Sequence, residues 1–141
     1  HDLPPAAGYL EYGHVKLREQ LGLLSGPVEE FQKSAEAEHH AMLNMLVKEG
    51  YLDADVLEDE LANENEIVDA LYRGLKGSPC KLMAASIVDA VGEKRTQNQP
   101  GTSNEYPNWR IPLADGDGNV VPLEELFGNA RLQEIAAIMR G

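Results

Sequence analysis

Cysteine is nearly absent from this 141-residue chain, Cys80 being the only one. A single thiol cannot close an internal disulfide, which excludes a small disulfide-stapled scaffold and favours a reducing, intracellular setting. Basic residues are also scarce, with 12 Lys and Arg against 24 Asp and Glu and a formal net charge of −12. That balance excludes nucleic acid, whose phosphates need a basic face, and disfavours an anionic membrane surface. Neutral or cationic partners remain open, although acidity by itself mainly reports solubility. No apolar run approaches the roughly 18 residues of a membrane helix. The first residue is His rather than Met, and no basic-then-apolar leader follows, so His1 is expected to be a point inside a longer chain. Internal repeats and low-complexity tracts are absent as well. What is present, 43% hydrophobic and 26% charged residues, suffices for one domain with a core, or for a piece of a larger one.

The apolar periodicity is mostly helical. Pro4 and Pro5 hold the first residues out of helix, and Leu10, Val15, Leu17 and Leu21 predict a helix over 6–21 that Gly22 ends. After Gly26-Pro27, acidic Glu29 and Glu30 suit a helix start. Phe31, Ala35, Met42, Met45 and Leu46 then carry an apolar stripe to Gly50. A short helix capped by Asp53 is expected over 53–61. Another, capped by Asn63 or Asn65, carries Ile67, Val68, Leu71 and Leu75 to Gly77. Helix is expected again over 122–127 and 129–140, with Ile135, Ile138 and Met139 on one face.

The stretch 80–110 departs from this pattern. Residues 81–88 form a continuous, partly β-branched apolar run, read as a strand buried on both faces. One such strand without a partner suggests part of a larger sheet. A long aperiodic polar segment follows, holding Pro100, Gly101, Pro107 and the only tryptophan, Trp109. Loops of this length in compact domains are usually functional or disordered, and Tyr106, Trp109 and Arg110 argue against disorder. A buried strand delivering a ligand-binding loop is the expectation.

Each candidate site has a plainer reading beside it. His1-Asp2, taken alone, reads as a solvated terminal pair. His39-His40 point about 100° apart on a helix and cannot share a metal, so a solvated face is expected. Cys80 has no CxxC partner and reads as a small buried filler. Residues 115–119, Asp-Gly-Asp-Gly-Asn, begin like a calcium loop, but Val120 stands where glycine is needed and Leu126 where a bidentate Glu belongs; a turn is expected instead. Glu93-Lys94-Arg95 and Arg110 could grip an anion, with ordinary surface charge the default. Asn98, Asn104, Asn108, Tyr106 and Trp109 combine amides with aromatic faces, as sugar recognition does, while Trp109 could equally anchor the loop to the core.

The run Thr96-Gln97-Asn98-Gln99-Pro100-Gly101-Thr102-Ser103-Asn104-Glu105-Tyr106-Pro107-Asn108-Trp109-Arg110 resembles the N-x-P-G-T…P-N-W-R signature of the 4-α-glucanotransferases of glycoside hydrolase family 77, the amylomaltases or disproportionating enzymes. His1-Asp2-Leu3-Pro4 resembles that family's His-Asp segment at the end of a late barrel strand. The two motifs occur in the family's order, and the likeness runs from residue 1 to 141. Tyr106 departs mildly, standing where relatives often have His.

The resemblance implies an α/β fold, with residues 1–141 as the C-terminal part of a (β/α)8 TIM barrel, predominantly helical within this piece, and 81–88 as its last strand. It implies a cytoplasmic, cofactor-free enzyme without a metal, acting on α-1,4-glucans and maltooligosaccharides. Such an enzyme transfers glucan segments to an acceptor 4-hydroxyl by a retaining double displacement. Asp2 matches the family's transition-state-stabilising carboxylate, and His1 its sugar-binding neighbour. Asn98, Pro100, Gly101 and Thr102 match the loop motif at the substrate face, where Pro-Gly-Thr could also serve only to shape the turn. The family's nucleophilic Asp and acid Glu would lie upstream of His1, so these 141 residues alone are expected to be inactive, and an exposed strand edge would favour self-association. The alternative reading is a free-standing acidic helical interaction or carbohydrate-binding module.

Overall fold

The computed structural model describes residues 2–141. Its helices are α1 (Ala6–Leu10), α2 (Gly13–Gln20), α3 (Val28–Lys48), α4 (Glu64–Gly77), α5 (Ile87–Ala90), α6 (Leu123–Leu126) and α7 (Ala130–Arg140), with a 3₁₀ turn at Ala54–Glu58. Among the described residues there is no strand, only an isolated antiparallel bridge between Ala114 and Val120.

The core forms where the helical stripes meet. Leu43 and Leu46 of α3, Ile67, Val68, Ala70 and Tyr72 of α4 and Ile135 of α7 are buried together, with Leu10, Leu52, Val56 and Ala90 completing the cluster. Fully burying each large aliphatic side chain contributes roughly 1.5–3 kcal/mol, so these few residues dominate the stability of the bundle. Polar ties fix the pairing of α4 with α7. The Arg131 guanidinium donates to both Asp69 carboxylate oxygens, at 2.8 and 3.3 Å. Lys76 donates to the Met139 carbonyl at 3.0 Å, satisfying an orphan acceptor at the end of α7. Gly50, at φ 77°, ends the α3 segment in the left-handed conformation expected of it.

Three sequence expectations need correction. The helix anticipated over 6–21 is two helices, broken at Tyr12, which takes φ 58°. The cause is close backbone approach: a Cβ on Gly8 would lie 2.1 Å from the Lys94 carbonyl oxygen, so α1 is pressed against the start of the long loop and the chain turns away after it. The strand expected over 81–88 is absent. Residues 82–86 have no regular structure, 87–90 form α5, and Leu82 is 93% exposed. A continuous apolar run becomes a strand only with neighbours to satisfy its backbone, and no such ladder stands beside it here. Cys80, expected to be a buried filler, is exposed on the same extended segment.

Candidate functional site: the 93–110 loop and Asp2

The long loop is built from its base upward, beginning with Glu93. Its side chain is buried, at 1% exposure, inside a shell of donors. One oxygen accepts from the backbone N–H groups of Lys94 (3.0 Å) and Arg95 (2.9 Å) and from Arg95 Nε (2.9 Å). The other accepts from an Arg95 terminal nitrogen at 2.7 Å and from the Ala114 N–H at 2.9 Å. Arg95 also reaches the Pro112 carbonyl at 2.8 Å, so the pair staples both ends of the loop together. Burial pushes the Glu93 carboxyl up, but the Arg95 side chain and the backbone donors of Arg95 and Ala114 pull it down further, and it ends below the usual carboxylate range. Lys94 pairs with Glu11 at the end of α1, beside Glu64 at 3.9 Å. Residues 93–95 are therefore not ordinary surface charge; the signal in the sequence is a carboxylate two residues before the arginine that neutralises it.

Above this base the loop is held by its own polar side chains. Tyr106 donates to the Thr96 carbonyl at 2.6 Å, and Asn108 accepts from the Gln99 N–H at 2.7 Å. The Asn108 amide donates to the Thr102 hydroxyl at 2.9 Å, which in turn donates to the Gln99 carbonyl at 2.7 Å. Pro100-Gly101 turns the chain, with Gly101 at φ 86°, a conformation that a side chain would strain. The geometry thus gives Thr102 and Asn108 a shaping role.

The same scaffold brings the two sequence motifs together. Asn98 donates its side-chain amide to Asp2 at 2.7 Å, joining the chain's first turn to the loop. His1 lies outside the described residues. Asp89 fixes the approach from beneath: one oxygen accepts from the Ala6 N–H that opens α1 (2.8 Å), the other from the Tyr72 hydroxyl (2.7 Å). That hydroxyl accepts from the Ser86 N–H at 3.0 Å, and burial, followed by the bond to Asp89, carries its pKa up to about 12. Asp2 therefore stands on a braced segment, with Pro4 and Pro5 between it and α1.

Trp109 resolves an open alternative. Its side chain is not a core anchor, because the residue is 62% exposed, yet its N–H is tied to the Gln97 carbonyl at 2.8 Å and its backbone holds φ 60°. Left-handed backbone at a bulky residue is uncommon and clusters at ligand-binding sites. Trp109 borders a cavity of about 390 Å³ shared with Leu3, Pro4, Val88 and Gln97; Asp2 and Asn98 are the sequence neighbours of Leu3 and Gln97 and do not line it themselves. Pro100 and Gly101 are exposed, whereas Asn98 and Thr102 are half-buried. The Asp115 turn forms as expected, its carboxylate accepting from the N–H groups of Asp117 (3.0 Å) and Asn119 (2.9 Å).

The loop thus carries an amide bonded to the Asp2 carboxylate and, further along, an exposed tryptophan. The family model described as 4-alpha-glucanotransferase, glycoside hydrolase family 77, matches residues 1–116, which include both Asp2 and the whole loop. The chain belongs to glycoside hydrolase family 77. A 4-alpha-glucanotransferase of Mycobacterium tuberculosis is 49% identical over 140 residues, covering 99% of this chain and 19% of the relative. One from Haemophilus influenzae is 29% identical over 136 residues, again 19% of its own length. The crystal structure of amylomaltase from Corynebacterium glutamicum superposes with a TM-score of 0.86 at 37% identity, over 99% of this chain and 20% of that one. The chain thus spans about a fifth of the length of these family 77 relatives, and matches amylomaltase in fold across nearly all of its own.

Proposed function

We propose that residues 1–141 form the C-terminal portion of a (β/α)8 barrel and contribute one wall of the active site of a 4-α-glucanotransferase. The observation that carries this reading is the 2.7 Å hydrogen bond from Asn98 to Asp2, which unites the two family motifs. The substrates are α-1,4-glucans and maltooligosaccharides, and the setting is cytoplasmic. In a retaining double displacement one carboxylate attacks the anomeric carbon, a second carboxylic acid protonates the leaving oxygen, and the 4-hydroxyl of an acceptor sugar resolves the covalent intermediate. Those two carboxylates come from outside this chain. Asp2 supplies the third, accepting hydroxyl protons of the sugar and stabilising positive charge on the ring in the oxocarbenium-like transition state. His1 contacts the same sugar, and Asn98 orients Asp2 while offering its amide to a hydroxyl. Pro100, Gly101 and Thr102 hold the loop at the glucan, and Trp109 presents an apolar face to a sugar ring.

Titration of maltoheptaose into isotope-labelled chain tests this assignment. The Asn98 side-chain amide and Trp109 indole resonances should shift together, and Asp2→Asn should abolish or strongly reduce both shifts. Shifts confined to other parts of the chain would contradict it.

A further inference from the structure

The segment that leads from Asp2 into α1 has little means of holding itself in place. Pro4 and Pro5 carry no backbone N–H, so neither can donate to a neighbour. Pro5 precedes the helix at φ −56° and caps nothing with its side chain, which leaves the first N–H groups of α1 in need of an acceptor from elsewhere. That acceptor comes from 83 residues away, where Asp89 Oδ1 takes the Ala6 N–H at 2.8 Å.

Asp89 is itself held from two directions. Its Oδ2 accepts from the Tyr72 hydroxyl at 2.7 Å, and the Tyr72 ring is buried in the core at 7% exposure. Because the Ser86 N–H is aimed at the hydroxyl oxygen, the one proton of that hydroxyl is directed to Asp89. With its pKa raised to about 12, chiefly by burial, the hydroxyl keeps that proton at neutral pH. The backbone of Asp89 belongs to α5, which closes tightly. Gly92, at φ 77°, donates to the Asp89 carbonyl at 3.2 Å, and Glu93 donates to the Val88 carbonyl at 2.9 Å, the paired bonds of a Schellman ending. One turn thus carries two carboxylates with separate tasks. Asp89 fixes the segment that bears Asp2, and Glu93 fixes the base of the loop that bears Asn98.

The body of α1 has its own support. Tyr9 stacks on His14 with ring centroids 5.1 Å apart and on His39 at 6.2 Å. His39 is 1% exposed, not on the solvated face expected for it. Loss of the Asp89 bond would therefore release the start of α1 and the residues before it, while the helix stays packed. We propose that Asp89, held by the Tyr72 hydroxyl, is a positioning residue for glucan transfer, setting where the Asp2 carboxylate stands and acting through Asp2 rather than on the sugar. The proposal rests on the reading of Asp2 as the carboxylate that stabilises the transition state. A shift of about 1 Å in such a group can lower a rate by about a hundredfold.

Maltotriose disproportionation by an enzyme that carries these residues at the full length of its family 77 relatives tests the proposal. Tyr72→Phe keeps the buried ring and removes only the hydroxyl. It should lower kcat by about tenfold with KM little changed, as when an interaction specific to the transition state is weakened. Asp89→Asn, which keeps an acceptor for Ala6, should retain more activity than Asp89→Leu, which keeps none. Repeated on Asp2→Asn, Tyr72→Phe and Asp89→Leu should lower the residual rate no further, because the group they position is already gone. Tyr72→Phe keeps the test decisive should Asp89→Leu fail to fold. A wild-type kcat for Tyr72→Phe would overturn the proposal. So would proportional losses that are the same with and without Asp2→Asn, the result of a general loosening. A wild-type rate for Asp2→Asn alone would instead remove the assignment of Asp2, and this proposal with it, so the two failures are told apart.

Discussion

At the scale of single residues, Glu93 governs the loop more than any residue that faces a ligand. Its buried carboxylate joins Arg95 to the Ala114 backbone, so both ends of the loop depend on one side chain. Glu93→Gln would replace an acceptor with an amide donor facing donors, and should cost about 1–3 kcal/mol in chemical denaturation. Because the carboxyl lies below its ordinary value of 4.5 in the folded chain, the unfolded chain binds the proton more readily. The stabilisation is therefore present above about pH 4.5 and is lost as pH falls through the lower folded value. The wild-type chain should lose stability steeply over that acid range, and the Gln variant should show a shallower loss; parallel curves would contradict this role.

At the scale of elements, the placement of Asp2 depends on α1 lying flat against the loop base. Gly8 permits that contact, since a Cβ there would meet the Lys94 carbonyl oxygen at 2.1 Å. Backbone cannot yield as a flexible side chain can. Gly8→Ala should thus destabilise the chain by roughly 2 kcal/mol or more, and weaken the Asn98–Asp2 bond as α1 lifts. Melting curves and the Asn98 side-chain amide resonance measure the two effects separately. This contact also explains what was legible in the sequence and what was not. The stripes of α3, α4 and α7 follow from their apolar spacing, and Gly50 and Gly77 mark helix ends as read. The loop was legible from its lack of period, and its partnership with Asp2 from a motif resemblance. The break at Tyr12 and the burial of His39 were not, because each arises from contacts with segments distant in sequence. Residues 81–88 have the composition of a strand, but a strand is a property of a pair, and its partner is not supplied by these residues.

At the scale of the whole molecule, several large apolar side chains on the segments that flank α1 and the loop are exposed. Leu3 is 82% exposed, Leu82 93%, Ile87 47% and Trp109 62%. Exposed large apolar side chains, where they adjoin, mark contact sites in stable proteins. The chain alone is therefore expected to self-associate through this face rather than through a strand edge, and Leu82→Glu should shift it toward monomer in sedimentation velocity. A monomer at all concentrations would count against that. The family match extends to residue 116 and the fold match to 99% of the chain, so α6 and α7 belong to the same architecture as the loop.

The central claim is that Asp2, held by Asn98, is a carboxylate of a glucan-transferring site. It is tested most directly by maltotriose disproportionation with an enzyme that carries these residues at the full length of its family 77 relatives. Asp2→Asn should reduce formation of glucose and longer maltodextrins by at least about a hundredfold, as expected when a group that stabilises transition-state charge is removed, with the melting temperature unchanged. Disproportionation at the wild-type rate by a correctly folded Asp2→Asn enzyme would contradict it.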